Sequence, residues 1–256
     1  MASGSDDVVR FEVVDDVGTI TLDSQHNRNS LSRQLVVELG NALDRAESAN
    51  VRVIVLRHEG PVFCSGVDLK ERSDGSGPPD SRPIVRIFER LMDTPRPTIA
   101  AVSGAVRAGG LGLMASCDLV VVERSVTFAL AEVRLGVAPA IISVPILRRV
   151  PAGKIAAAML TGESFGAAEA REMGLVTHVS DDPAALVQSL CDGIRAGAPN
   201  AVAETKRLLN RVPTLSRDEA FDEMRDLSDY LFQGPDAAEG MAAFRERRTP
   251  IWPEQS

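Results

Sequence analysis

The chain has 256 residues, of which 44% are hydrophobic and 25% are charged, as in an ordinary soluble globular protein. A net charge of −8 argues against nucleic acid as the main partner, because phosphate binding requires a basic surface. The three cysteines, Cys64, Cys117 and Cys191, have neither the spacing of metal ligands nor the even number of a disulfide framework, so we expect buried free thiols.

The beginning of the sequence bears on localisation. The residues MASGSDDVVR are polar and acidic and lack the apolar stretch of a secretion signal. No apolar run in the sequence approaches the roughly 20 residues of a membrane span. We therefore expect a cytoplasmic protein that has no membrane partner.

The first two-thirds of the chain alternate between predicted strands and helices. The segment Val8 to Leu22 is rich in Val, Ile and Thr and is divided by an acidic turn, which predicts a β-hairpin. Apolar residues recur at helical spacing from Leu31 to Ala46, and the run Val51 to Arg57 predicts a buried strand. A helix between two strands favours parallel pairing through a right-handed crossover.

The alternation continues to about Pro139. A helix is predicted from Pro83 to Met92 and a strand from Thr98 to Val102. A helix that begins near Gly109 is followed by strands at 118–123 and 126–128. Beyond Pro139 the sequence predicts mainly helices, and the last third of the chain is predicted to be all-helical. The predicted helices are Ile141–Arg149, Gly153–Leu160, Ala167–Met173, Ala184–Ala196, Ala201–Asn210, Asp218–Phe232 and Pro235–Arg247.

The first candidate motif is GPVFCSGVDLKE, residues 60 to 71. Asp68 is placed to cap a short helix, and Gly66 permits an unusual backbone angle or a close approach. The N–H of Val67 would then face the N-terminal side of that helix, where negative charge is stabilised. An ordinary strand-to-helix turn explains the same pattern, so this motif alone does not decide the function.

The second candidate motif is AVSGAVRAGGLGLMASCD, residues 101 to 118. Ala108, Gly109 and Gly110 are small residues at the start of a predicted helix, where bare backbone amides can reach a ligand oxygen. The glycines lack the G-x-G-x-x-G spacing of a dinucleotide site. Close packing between helices is the alternative explanation for the glycines.

The third candidate is Glu132, which lies in the mostly apolar segment TFALAEVRLGVAPAIIS and has Arg134 as a possible neighbour. A carboxylate among apolar groups has a raised pKa and can act as an acid or a base, although an exposed glutamate that caps a helix fits the pattern too. The histidines have no nucleophile motif beside them, and we interpret His58 and His178 as structural. No cluster of ligand residues suggests a metal site.

Taken together and in this order, SQHNRNSL, FCSGVDLKE, AVSGAVRAGGLGL…CD and FALAEVRLGVAP resemble the enoyl-CoA hydratase/isomerase family, also called the crotonase superfamily. The resemblance runs from Phe11 to Trp252. It implies an α/β fold: a crotonase-like spiral of ββα repeats over residues 1–198 and a helical region over 199–256 for oligomerisation and closure of the CoA pocket. The implied partners are an acyl-CoA thioester substrate and further copies of the chain, in a homotrimer or a hexamer of two trimers.

The resemblance also implies roles for individual residues. The backbone N–H groups of Val67 and Gly109 would form an oxyanion hole for the thioester carbonyl, and Glu132 would be the catalytic carboxylate. The residues implied to bind coenzyme A are Arg28, Ser65, Gly66, Asp68, Leu69, Lys70 and Gly110, together with Phe244 and Arg247 of a neighbouring subunit. No metal, nicotinamide or flavin cofactor is implied, because proton transfer beside a thioester needs none and coenzyme A is part of the substrate.

The sequence departs from the family pattern at one position. Typical hydratases of the family carry two catalytic glutamates, and the first of them falls on Gly112. Three hypotheses follow. The protein hydrates an enoyl-CoA with Glu132 as the main acid and base, and the resemblance of GLGL with GVAPAIIS to methylglutaconyl-CoA hydratases implies a branched substrate. Alternatively, Glu132 shuttles a proton between two substrate carbons, as in enoyl-CoA isomerases, or the protein binds acyl-CoA without catalysis.

Overall fold

The computed structural model of the chain describes residues 7–73 and 80–252. The strands are β1 (Val9–Val14), β2 (Val17–Leu22), β3 (Val53–His58), β4 (Val62–Cys64), β5 (Thr98–Val102), β6 (Ala105–Arg107), β7 (Leu119–Glu123), β8 (Thr127–Ala129), β9 (Ser164–Gly166) and β10 (His178–Ser180). The helices are α1 (Arg33–Ser48), α2 (Leu69–Ser73), α3 (Arg82–Asp93), α4 (Gly109–Ala115), α5 (Ala140–Leu147), α6 (Ala152–Thr161), α7 (Ala167–Met173), α8 (Pro183–Ala196), α9 (Pro199–Arg211), α10 (Arg217–Phe232) and α11 (Pro235–Glu246). Short 3-10 helices span Gln25–Asn27, Ala131–Leu135 and Val212–Thr214.

The larger sheet has six strands in the order β1-β2-β3-β5-β7-β10. β1 and β2 form the predicted antiparallel hairpin, and the other neighbours pair in parallel. The main core packs against one face, and side chains of α8 pack against Val53, Ile99 and Val121 on the other face. Because both faces are buried, β3, β5 and β7 each contain four consecutive apolar residues, which do not alternate with polar ones.

The smaller sheet has four strands in the order β4-β6-β8-β9. Three successive strand pairs, β3–β4, β5–β6 and β7–β8, each contribute one strand to the larger sheet and one to the smaller sheet, and a helix follows each pair. The chain therefore advances as a spiral of ββα units. β4, β6 and β8 pair in parallel, so their carboxyl ends meet at one edge of the smaller sheet.

The structure corrects the sequence reading in two places. The prediction that the last third of the chain is all-helical was wrong, because β10 pairs with β7, and the short strand β9, which pairs with β8, was missed. The short strands β4 and β6 were also missed. Each of these four strands has three residues, too few for a readable alternation, and only pairing with distant strands makes them strands. The prediction for the cysteines was right, since Cys64, Cys117 and Cys191 are free and buried.

Helix α1 shows how the predicted helices form. Its first turn is capped by Ser32, whose hydroxyl oxygen accepts a hydrogen bond from the N–H of Leu35 at 3.2 Å. The apolar positions of its 3.6-residue repeat face the core, and the buried side chains are Leu35, Val36, Leu39, Ala42, Leu43 and Ala46. Burial of each of the larger apolar side chains stabilises the fold by about 1.5–3 kcal/mol.

A buried ion pair attaches α9 to the core. The Lys206 side chain is 5% exposed, and its Nζ lies 2.8 Å from a carboxylate oxygen of Asp118. Nζ also donates to the carbonyl oxygens of Leu91 and Arg96 at 2.9 and 3.0 Å. The same Asp118 oxygen accepts from the backbone N–H and the hydroxyl of Thr98 at 2.7 and 2.9 Å. Both charges are thus hydrogen-bonded, which is the condition under which a buried pair is tolerated.

The chain that follows α9 folds back on the molecule. The indole N–H of Trp252 donates to the carbonyl oxygen of Ala196 at 2.9 Å, so the tail rests on the end of α8. On α10 and α11, Phe221, Tyr230, Phe232 and Phe244 remain exposed. Over the described ranges, none of the helices combines the length and the apolar character needed to cross a bilayer.

The buried ion pair predicts a large effect of one substitution. Lys206→Met leaves Asp118 buried without its counter-charge, and we expect the free energy of unfolding to fall by about 3–5 kcal/mol. Arg124→Met is the matched control, because it breaks the exposed pair with Asp181 and should cost about 0–1 kcal/mol. Urea denaturation measures both. Equal small losses would show that α9 is not held by this pair.

Candidate functional site

Three segments of the chain leave the smaller sheet at the same edge. The parallel register pairs Cys64 with Val106 and Val106 with Phe128, so β4, β6 and β8 end side by side. The N–H of Ala108 extends this pairing by donating to the carbonyl oxygen of Ala129 at 3.0 Å. Segments that follow the carboxyl ends of parallel strands commonly build binding sites. The three sequence motifs therefore meet at this edge.

The Val67 and Gly109 amides come close together there. A Cβ atom added at Gly109 would lie 3.5 Å from the Val67 nitrogen and 3.3 Å from the Gly66 Cα. A Cβ atom added at Gly66 would lie 3.1 Å from the Gly109 nitrogen. Gly109 opens α4, where N–H groups have no partner within the helix. Neither amide has a hydrogen-bond acceptor within the described part of the chain. Two unpaired donors on touching backbones can stabilise a negative oxygen.

The close approach requires unusual backbone angles. Gly66 has φ +94°, and Ala108, the residue before α4, has φ 48° and ψ −121°. The loop at Gly66 is held by the N–H of Leu31, which donates to the Gly66 carbonyl oxygen at 2.7 Å. Left-handed angles at a residue other than glycine are strained and persist only where the surroundings enforce them. The backbone angles of Ala108 set the orientation of the peptide group that carries the Gly109 N–H.

Glu132 follows β8 at the same edge, in the 3-10 helix Ala131–Leu135. Its Oε2 atom is buried and has no hydrogen-bond partner within the described residues. Burial raises the pKa of the Glu132 carboxyl above its ordinary value. The side chain is therefore not an exposed helix cap. Arg134 does not pair with it, since its Nε donates to the carbonyl oxygen of Thr161 at 2.8 Å.

The space beside Gly112 is filled. A Cβ atom at this position would lie 2.6 Å from Cγ2 of Ile142 and 2.8 Å from Cε2 of Phe88, both on buried side chains. A Cβ atom at Gly110 would likewise lie 2.6 Å from the Cys64 carbonyl oxygen. Close packing, which the sequence left open as an explanation for the glycines, is therefore the reason for these two. No carboxylate projects from position 112, and apolar groups occupy its place.

Most of the residues implied to bind coenzyme A lie where loop 27–30 meets residues 65–70. The Asp68 carboxylate accepts hydrogen bonds from the Ser30 hydroxyl at 2.8 Å and from the Lys70 N–H at 2.9 Å. The bond from Ser30 is the main cause that lowers the pKa of Asp68, and the bond from Lys70 caps α2 as predicted. The Ser65 hydroxyl donates to the Asn27 carbonyl oxygen at 3.3 Å. Loop 27–30 is thereby fastened to residues 65–70, and the side chains of Arg28, Leu69 and Lys70 are exposed.

Phe244 and Arg247 lie elsewhere. Phe244 is near the end of α11 and is 85% exposed, and Arg247 ends that helix with φ 55°. Within one chain α11 packs chiefly against α10, so these side chains are not part of the cluster around Val67 and Gly109.

Sequence reasoning overlooked several contributors to the site. Leu31 holds the Gly66 loop through its N–H, and its side chain would lie 3.0 Å from a Cβ atom at Gly109. Phe88 of α3 was overlooked, and it fills the space at Gly112 together with Ile142 of α5. The segment SQHNRNSL contained a signal for Leu31, because it precedes a helix and belongs to the family resemblance. The packing of Phe88 and Ile142 has no local signal.

Comparison with known proteins extends over nearly the whole chain. The sequence model of the enoyl-CoA hydratase/isomerase family matches residues 12–255. The chain is 32% identical over 244 residues to enoyl-CoA hydratase EchA19 of Mycobacterium tuberculosis, which covers 90% of this chain and 91% of that protein. It is 32% identical over 263 residues to enoyl-CoA hydratase domain-containing protein 3, mitochondrial, of Danio rerio, with 98% and 90% covered. The crystal structure of an enoyl-CoA hydratase from Mycobacterium smegmatis has a TM-score of 0.88 and 29% identity, covering 96% of this chain and 98% of that one. The predicted fold class is confirmed.

The turn at Gly66 predicts a cost for one added methyl group. In Gly66→Ala the new Cβ would lie 2.8 Å from the Ala108 Cβ, at a left-handed φ. We expect the free energy of unfolding to fall by about 1–3 kcal/mol. Gly193→Ala is the control, because Gly193 lies inside α8 with nothing within 4 Å and should gain about 0.5–1 kcal/mol. Chemical denaturation compares them, and an unchanged stability for Gly66→Ala would contradict the described turn.

Proposed function

The chain belongs to the enoyl-CoA hydratase/isomerase family, and from this we propose that it binds acyl-CoA thioesters with the carbonyl oxygen between the N–H groups of Val67 and Gly109. The observation that carries this proposal is the approach of two amides that have no protein acceptor within the described residues. When a proton moves at the α-carbon, negative charge develops on that oxygen. Each donor of such a pair stabilises the transition state by about 3–4 kcal/mol.

The reaction we propose first is hydration of an α,β-unsaturated acyl-CoA. The relatives named hydratases support this choice. Glu132 takes a proton from a water molecule as the water oxygen bonds to the β-carbon, and the electron pair of the double bond moves to form the enolate. The same carboxyl then returns the proton to the α-carbon. A carboxyl whose pKa is raised by burial suits both halves of this exchange.

A second reaction is favoured by the packing at Gly112. Ile142 and Phe88 occupy the space that a second acid–base group would need. A shift of the double bond from the 3,4 to the 2,3 position requires only one such group. Glu132 would remove a proton from the α-carbon and return it to the γ-carbon, while the two amides hold the dienolate between the steps. Atoms and charge balance without water.

Coenzyme A would lie along the rim formed by loop 27–30 and residues 65–70. Arg28 and Lys70 are exposed cations there and can meet the phosphate groups. We propose that Phe244 and Arg247 complete the pocket from a neighbouring subunit, in a homotrimer or a hexamer of two trimers assembled through residues 199–256. The exposed aromatic side chains of α10 and α11 support this assembly. The assembly predicts a molecular mass in solution of three or six times the mass of one chain.

Replacement of Glu132 tests its role. Glu132→Gln removes the proton acceptor, and we expect turnover to be lost while coenzyme A binding is kept. The folded protein holds the Glu132 proton to higher pH than the unfolded chain does, so the ionised side chain lowers stability near pH 7. The variant should therefore unfold at an equal or higher temperature. Wild-type turnover should fall as the pH drops through this raised pKa.

The control for this experiment is Glu163→Gln, which changes an exposed carboxylate after α6 and should leave turnover unaffected. Steady-state kinetics, calorimetric melting and titration with coenzyme A give the three readouts. Normal turnover in Glu132→Gln would remove this carboxylate from the mechanism.

A panel of thioesters separates the two reactions and the non-catalytic alternative. Crotonyl-CoA and methylglutaconyl-CoA report hydration, and a 3-enoyl-CoA reports isomerisation. We expect Gly112→Glu alone to misfold or lose activity, because its Cβ has no room. Coenzyme A binding without turnover of any thioester would identify an acyl-CoA binder.

A further inference from the structure

His58 and Ser103 stand where the chain passes from one sheet to the other. His58 is the last residue of β3, and Ser103 directly follows β5, its neighbour in the larger sheet. After His58 the chain enters β4 and continues to Val67, and after Ser103 it enters β6 and continues to Gly109. The two segments that supply the site amides therefore leave the larger sheet side by side.

A hydrogen bond joins the segments at this point. The backbone N–H of Ser103 donates to Nε2 of His58 at 3.1 Å, and the Ser103 hydroxyl lies 3.2 Å from the same nitrogen. A backbone N–H can only donate, so Nε2 must carry its lone pair and the ring proton must be on Nδ1. Burial, opposed mainly by Glu59 and the backbone, lowers the pKa of His58 and keeps the ring neutral.

The ring is also confined by its surroundings. It meets the buried Phe63 ring of β4 edge-on, with centroids 5.6 Å apart and an interplanar angle of 84°. Its Cε1 would lie 2.7 Å from a Cβ atom at Gly104. The Ala105 N–H donates to the Pro61 carbonyl oxygen at 3.0 Å, which joins the starts of β4 and β6 beside it. A displacement of His58 would therefore move the start of both strands.

The second ring nitrogen, Nδ1, indicates why a histidine and not an apolar residue stands at position 58. Nδ1 is buried and makes no hydrogen bond of normal geometry among the residues that the structure describes, although the backbone of Glu59 and Gly60 lies close enough to oppose the lowering of the His58 pKa. A buried donor without an acceptor is destabilising, and such an atom in a folded protein calls for an explanation. An apolar side chain would avoid this cost and would lose the acceptor for Ser103. The acceptor at Nε2 is what histidine supplies here.

We propose that His58 is a positioning residue for the oxyanion hole, which it aligns by fixing β4 and β6 against each other through Nε2. The inference rests on the proposed function of the Val67 and Gly109 amides. His58 does not touch the substrate. It acts through the two short strands, and a small shift between them separates the two amides.

Two substitutions of His58 place a side-chain amide oxygen either where Nε2 lies or where Nδ1 lies in the wild-type ring. In His58→Gln the Oε1 atom is three bonds beyond Cβ, as Nε2 is, and can accept from the Ser103 N–H. In His58→Asn the Oδ1 atom stops at the position of Nδ1 and cannot. The pair is therefore matched in chemistry and differs in the location of the acceptor. His178→Gln, at the edge of the larger sheet, is the control for loss of a histidine.

The readout is the absorbance of 4-(dimethylamino)cinnamoyl-CoA, a thioester whose spectrum shifts to longer wavelength when its carbonyl oxygen accepts hydrogen bonds. We expect wild type, His58→Gln and His178→Gln to give the full shift on binding. His58→Asn should give a smaller shift and a kcat lower by about 100-fold, the loss expected when reacting groups are displaced by about 1 Å. Its Kd for the thioester should change little, because the rim at 27–30 and 65–70 is untouched.

Each outcome is decisive. A full shift and normal kcat in His58→Asn would overturn the inference, and so would an equal loss in His58→Gln. If His58→Asn does not fold, His58→Gln decides alone, and a shift below wild type overturns the inference. If the wild-type protein binds the thioester without any absorbance shift, the proposed function of the two amides is wrong.

Discussion

The contact between the backbones of Gly66 and Gly109 is the constraint on which the rest of the site depends. Two amides can reach one oxygen only if their chains touch, and a Cβ atom on either residue would fall within 3.5 Å of the other segment. Neighbouring parallel strands lie about 4.8 Å apart, which brings two loop segments to this distance at a shared edge. The small sheet of β4, β6 and β8 supplies that edge.

The site holds several unfavourable features that the rest of the fold must offset. Ala108 has a positive φ, and one carboxylate oxygen of Glu132 is buried without a hydrogen-bond partner among the described residues. The larger sheet, buried on both faces, provides the rigid support. Strained and unpaired groups of this kind persist where a stable scaffold surrounds them, and they are typical of functional sites.

The apolar filling at Gly112 shapes the chemistry that the site can perform. Glu132, the carboxyl group that follows β8, lies in an environment that favours its neutral form. In the function that we propose, such a group exchanges a proton with carbon or with water and receives no help from a carboxylate at position 112. In the function that we propose, the choice between hydration and a double-bond shift depends on whether a water molecule can lie near Glu132, and Ile142 and Phe88 fill the space beside Gly112.

The sequence by itself determined what local pattern encodes. Helical periodicity located α1 and α7, and the acidic turn predicted the hairpin β1–β2. The apolar neighbours of Glu132 indicated that the pKa of its carboxyl group is raised. The order of the motifs identified the family. Only the tertiary structure decided that β4 and β6 are strands, that Ile142 and Phe88 occupy the space at Gly112, and that His58 meets Ser103. These are contacts between residues far apart in the chain, and no local spacing records them.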